Sequence, residues 1–88
     1  GGGGMKYAAA EHKKIQALLW LVAACRKYGK VRSEAYYGYA EKELGLSRMG
    51  SVAIINRLEE LGLLTRETMR VFDCRKLWEY VEELGRRV

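Results

Sequence analysis

Ser47, Arg48, Asn56 and Arg57 are the side chains whose types and spacing best suit chemistry. The chemistry they could do is recognition of a nucleic acid. An arginine guanidinium pairs with the O6/N7 edge of guanine or with a phosphate, and an asparagine amide carries the donor and acceptor that match adenine. Between them, Met49 and Ala53 would meet a thymine methyl, and Gly50 would let a groove wall come close. Each has a plainer role as well. Ser47 is a helix cap in either case. Arg48 is otherwise a solvated charge, and Asn56, more than two turns into its helix, meets phosphate or solvent. Arg57 is otherwise a surface partner of Glu60 three residues on. Lys30, Arg32, Arg66 and Arg70 are candidate phosphate contacts, and so is the Tyr39 hydroxyl. Singly, each cation is a surface charge. Grouped, they point to a polyanion, and each neutralised phosphate would add about 0.9 to the salt slope of binding.

Chemistry of other kinds is hard to place. The lone histidine, His12, stands beside Glu11 and Lys13 early in a helix. There is no Ser/His/Asp arrangement, no glycine-rich phosphate loop and no HExxH. Cys25 and Cys74 match no zinc spacing, and neither has an activating base nearby in sequence. They read as two buried thiols or as one disulfide, and sequence does not bring the sulfurs together. The chain is therefore read as a non-enzyme with no metal and no cofactor.

Composition sets the frame. The chain has 88 residues, 16 Lys plus Arg against 11 Asp plus Glu, and a net charge of +5. That is the size of one domain with a limited core. A basic balance on so small a body favours an anionic partner. Gly1–Gly4 read as an appended leader, leaving 5–88 as the domain. No apolar run reaches the about 18 residues of a membrane span, so a cytoplasmic, nucleoid-associated protein is expected. Asn and Gln occur once each while 31% of residues are charged, a balance that leans to a thermophile.

The elements that must hold these residues follow from periodicity and punctuation. Helix one is expected over Tyr7–Tyr28, with Ala8, Ile15, Leu18, Leu19, Val22 and Cys25 at helical spacing and Gly29 beyond its end. A second apolar strip carries Ala17, Leu21, Ala24 and Tyr28, with Trp20 beside it. A helix apolar on two sides needs a second neighbour. Val31–Arg32 is a short strand or a linker. Ser33 should cap helix two, Glu34–Leu44, whose core face is Tyr36, Tyr37, Ala40 and Leu44. In "YYGY" only Tyr39 is left off that face. Gly45 ends this helix, and Ser47 caps helix three, which runs to about Leu61 and is ended by Gly62. Ser51, Ile54, Ile55, Leu58 and Leu61 share its inner side. Leu63–Thr65 and Met69–Phe72 suggest a small hairpin. Asp73 should cap a last helix to about Leu84, within 73–85, followed by a frayed end. The fold class is mainly α with a small β-hairpin.

Leu44–Leu64, "LGLSRMGSVAIINRLEELGLL", resembles the segment of winged helix-turn-helix regulators of the MarR type in which a Gly-Leu-Ser turn leads into the recognition helix. "IINRLEELG" is also similar to the C-terminal winged-helix domain of archaeal replication initiators. The resemblance implies a winged helix-turn-helix with an additional C-terminal helix. Ser51 stands where an apolar residue is usual, Glu41 where a small one is usual, and the wing is short.

The resemblance implies double-stranded DNA as partner, read in the major groove by helix 47–61 of a transcriptional regulator. A homodimer would present two such helices, and Trp20, Leu21, Leu77, Trp78, Val81 and Leu84 are the candidate dimer or partner surface. The alternatives are a winged-helix protein-interaction module, and a DNA-binding domain cut from a replication initiator.

Overall fold

Positive-φ glycines divide the chain where the sequence places its stops. Gly29, Gly45 and Gly62 have φ of 73°, 71° and 74°, a region that costs a residue with a Cβ. The computed structural model describes residues 2–88, with side chains from Glu11 onward. Helix α1 is Gly2–Tyr28, longer at its start than the expected Tyr7. The leader's Gly1 and the Ala8 side chain lie outside the described set. Strand β1 (Lys30–Arg32) leads into α2 (Ser33–Gly38), which widens into a π-helical turn at Tyr39–Glu43. Then come α3 (Arg48–Glu60), β2 (Thr65–Arg66), β3 (Val71–Asp73) and α4 (Arg75–Arg87).

The expected hairpin is present and is part of a three-stranded antiparallel sheet in the order β1-β3-β2. Val31 and Arg66 both face Phe72 in register. The Glu67–Arg70 connection lacks glycine, asparagine and proline. It closes instead with Glu67 and Thr68 N–H donating to Val71 O, and Arg70 N–H donating to the Thr68 hydroxyl. This mainly helical chain with a small sheet is compatible with a winged helix in its element order. Among the described residues no helix is long and apolar enough to cross a membrane.

The core joins Leu21 and Cys25 of α1 to Tyr36, Ile55, Phe72 and Leu77. Of the two apolar strips on α1, the one through Ala17 and Leu21 is buried, whereas Ile15 is 54% and Leu19 62% exposed. Periodicity finds both strips, and only the neighbours decide between them. Tyr28, at the end of the Ala17–Leu21 strip, is exposed, and Cys25 of the other strip is buried. A disulfide joins Cys25 to Cys74 across a sequence separation of 49. It fastens the end of α1 to the start of α4, the second neighbour that a two-sided α1 required.

Two expected caps move. Ser33 does not cap α2; its hydroxyl donates to Met69 O at 3.3 Å and ties the helix start to the hairpin tip. Asp73 is the last residue of β3, one place before the N-cap Cys74. Its carboxylate still accepts from Arg75 N–H at 3.2 Å and pairs with the Arg75 guanidinium at 2.8 Å. The last helix also continues through the stretch expected to fray, ending at Arg87, where Arg86 and Arg87 pair with Glu82 and Glu83.

Two outcomes follow. Closing a 49-residue separation limits the unfolded chain, so replacing Cys25 and Cys74 by serine should lower unfolding free energy by about 4 kcal/mol. Urea melts with and without reductant check this, and coincident melts would contradict it. The Arg75 side-chain and backbone hydrogen bonds hold the Asp73 carboxyl below its usual range. A lowered folded pKa stabilises above the unfolded value near 3.8 and loses that contribution as pH falls through the folded value. Asp73→Ala should therefore cost about 1 kcal/mol at neutral pH, and the gap to the parent should close in acid.

Candidate nucleic-acid interface

Ser47 begins the candidate interface. Its hydroxyl accepts from Gly50 N–H at 3.0 Å, so the expected N-cap is made. A Cβ at Gly50 would sit 3.2 Å from the Ser47 hydroxyl oxygen, a close approach that a shift of a few tenths of an ångström relieves. The cap bond itself accepts a side chain at this position, so it does not account for a glycine that costs about 1 kcal/mol against alanine in a helix. Gly50 lies half-buried on the flank of α3 towards α1, not on the outward face assigned to it from sequence.

The turn before α3 is stitched to α2. Leu46 N–H donates to Ala40 O at 2.9 Å. The Ser51 hydroxyl donates to Ser47 O at 2.9 Å, and the Tyr36 hydroxyl donates to Ser51 O at 2.8 Å. Ser51 is fully buried at a position that usually carries an apolar side chain. Being small, it leaves its carbonyl open to the tyrosine. Burial, then the nearby Tyr37 and Glu41, pushes the Tyr36 hydroxyl well above its ordinary pKa, so it stays a neutral donor.

Besides its buried side and its flank towards α1, helix α3 has an outward side, a side towards α2 and a side towards the hairpin. Met49 and Asn56 are exposed on the outward side, Met49 to 83%, and Ala53 and Arg57 are exposed between that side and the α1 flank, where they border the same groove as Gly50. Arg57 makes the surface pair with Glu60 at 3.1 Å. On the side towards α2, Arg48 reaches Glu41 at 2.8 Å, with its guanidinium 4.0 Å from the centre of the Tyr37 ring. Glu41 is the residue that departs from the usual small one, and this pair is what it makes. Towards the hairpin, Arg66 donates to Glu59 at 2.8 Å and to the Asn56 side-chain oxygen at 2.9 Å, and lies over Phe72. The Glu59 hydrogen bond leads in raising the Arg66 pKa.

These contacts revise two assignments. Arg66 is not a free wing cation but the tie between hairpin and helix. Asn56 has its acceptor oxygen occupied, and a two-bond match to adenine needs that oxygen. Lys30 is also engaged, with Glu67 at 2.8 Å. Arg32 and Arg70 are exposed and, among the described residues, have no carboxylate within 4.0 Å. Ser33 N–H donates to Arg70 O at 2.8 Å, which brings both to one end of the sheet. Sequence reasoning missed Lys42. It lines a cleft of about 520 Å³ with Tyr37, Glu41, Arg48 and Arg66. The π-helical turn shifts the phase of α2 here, and periodicity at 3.6 residues cannot follow that shift.

The aromatic and partner-surface assignments change too. Tyr39 stacks on Trp20, ring centres 5.1 Å apart, so both rings are used within the chain, and the Tyr39 hydroxyl expected to meet phosphate is not part of that stack. Leu21 and Leu77 are buried in the core and cannot form a partner surface. Trp78 is half-buried beneath the Arg26 guanidinium, Val81 is half-buried, and Leu84 is exposed.

Because Arg66 is the side-chain link from hairpin to α3, Arg66→Ala should free the hairpin before the helix. Amide exchange at Glu67–Arg70 should quicken while α3 stays protected. The global cost should stay below about 1 kcal/mol, since the ion pair is partly solvated. Unchanged hairpin exchange would contradict this role. No protein-family model, curated protein or solved structure matches the chain.

Proposed function

We propose that the chain is a winged helix-turn-helix domain that binds double-stranded DNA and serves in transcriptional regulation. In this reading the outward side of α3 enters the major groove. The observation that supports it most is the bare outward side of a tightly held second helix. Met49 points to water, and Ala53 and Arg57 are exposed beside it at the edge of the α1–α3 groove, on an α3 whose turn is bonded to α2 on its other side. Methionine and alanine in water gain by meeting a thymine methyl, and the arginine by meeting a phosphate or guanine. Arg32 and Arg70, which among the described residues have no carboxylate within 4.0 Å, would supply phosphate contacts from one end of the sheet.

The internal ion pairs do not oppose this reading. Arg57–Glu60 is an exposed pair, worth about 0.2–1 kcal/mol, so a phosphate can replace the carboxylate. Arg48 is held more firmly, by Glu41 and by the Tyr37 ring, and so meets DNA from a fixed direction. Two identical domains on a two-fold axis would read half-sites about one helical turn apart. The second reading, a protein-interaction module, is favoured by the apolar groove between α1 and α3.

Anisotropy of a labelled random duplex, titrated at several salt concentrations, tests the proposal. Affinity should fall steeply with salt. Arg32→Ala/Arg70→Ala should lower the log–log slope by roughly 2, and Met49→Glu should weaken binding at every salt concentration. Absence of binding at low salt, or affinity indifferent to salt, would overturn the DNA reading.

A further inference from the structure

A groove of about 440 Å³ runs between α1 and α3. Leu18, Ile54 and Leu58 are its more buried residues, and Ile15 and Leu61 form rims that are 54% and 53% exposed. Leu19, one turn beyond Ile15, prolongs the apolar stripe into solvent at 62% exposure. Two cations, Lys14 and Arg57, also line the groove, and among the described residues no carboxylate does. Their present partners are exposed neighbours on their own helices, Glu11 at 3.8 Å and Glu60 at 3.1 Å. Such pairs exchange readily in water.

We infer that this groove docks an amphipathic helix of a partner protein, apolar on one side and acidic on its flanks. The channel between two packed helices suits a third helix that sets residues at i, i+3, i+4 and i+7 into it. Lys14 and Arg57 select the sign of the flanks, because they attract carboxylates and repel a basic helix. Duplex DNA has no comparable apolar ridge to offer Leu18 and Ile54. The inference goes beyond the DNA reading and does not depend on it; Arg57 borders both surfaces, so the docked helix and a duplex would compete for it.

The test uses a labelled synthetic helix of about four turns, with leucines at the docking positions and glutamates on the flanks. An isomer with lysines in place of the glutamates is its control. The acidic helix should bind saturably, and the lysine isomer at least about tenfold more weakly. Ile15→Glu and Leu61→Glu, each at an exposed rim position whose fold is checked by thermal melting, should each weaken the acidic helix by about tenfold or more. Lys14→Glu/Arg57→Glu should reverse the preference between the two helices. Arg48→Ala, outside the groove, should leave helix binding unchanged, and a separate duplex titration reads the DNA proposal on its own. No saturable binding of the acidic helix would overturn the inference, as would equal binding of both helices. Self-association of the chain that Ile15→Glu or Leu61→Glu abolishes would overturn it too, because the occupant would then be a second copy.

Discussion

The hydrogen bond from the Tyr36 hydroxyl to the Ser51 carbonyl fixes how α2 crosses α3, and the candidate interface depends on that crossing. Both residues are fully buried. A buried carbonyl or hydroxyl without a partner costs about 1–3 kcal/mol, so the two groups favour one arrangement of the helices. A larger side chain at position 51 would fill the space the tyrosine needs. The same serine sends its own hydroxyl back to Ser47 O, beside the cap that starts α3. A polar residue at a core position thus aligns two helices and braces the turn between them.

Around this junction, arginines are shared between structure and surface. Arg66 spans from the sheet to Glu59 and Asn56, and Arg48 from α3 to Glu41 and Tyr37. Both cations lie along one cleft, each steadied by a carboxylate. Arg57, Arg32 and Arg70 stand on the outside, with weak partners or none among the described residues. Charge held by the fold sets direction. Charge held loosely is what a polyanion can take up.

The stops, the turn and the Ser47 cap were legible in the sequence because they are local. A positive-φ glycine or a capping serine acts on its nearest neighbours. The sides of α1 were not legible, since Ile15–Leu19 and Ala17–Leu21 are equally periodic and only α3, α4 and the sheet choose between them. Glu41–Arg48 and Glu59–Arg66 are each 7 residues apart, and Asn56–Arg66 is 10. In each pair the two residues belong to different elements, so helical periodicity does not connect them; the fold does. The Cys25–Cys74 bond spans 49 positions, and it too needed the fold to bring its ends together. Leu21 and Leu77 looked like surplus apolar surface for the same reason. Their true neighbours are distant in sequence.

The central claim is that the outward side of α3 meets duplex DNA. Backbone amide shifts of the labelled protein, followed while a short duplex is added at low salt, test it most directly. The account predicts the largest changes at Met49, Ala53 and Arg57, with a second group at the hairpin tip, 67–70, and little change at the buried Leu21 and Leu77. Changes confined to Ile15, Leu18 and Leu61, or no changes at all, would contradict it.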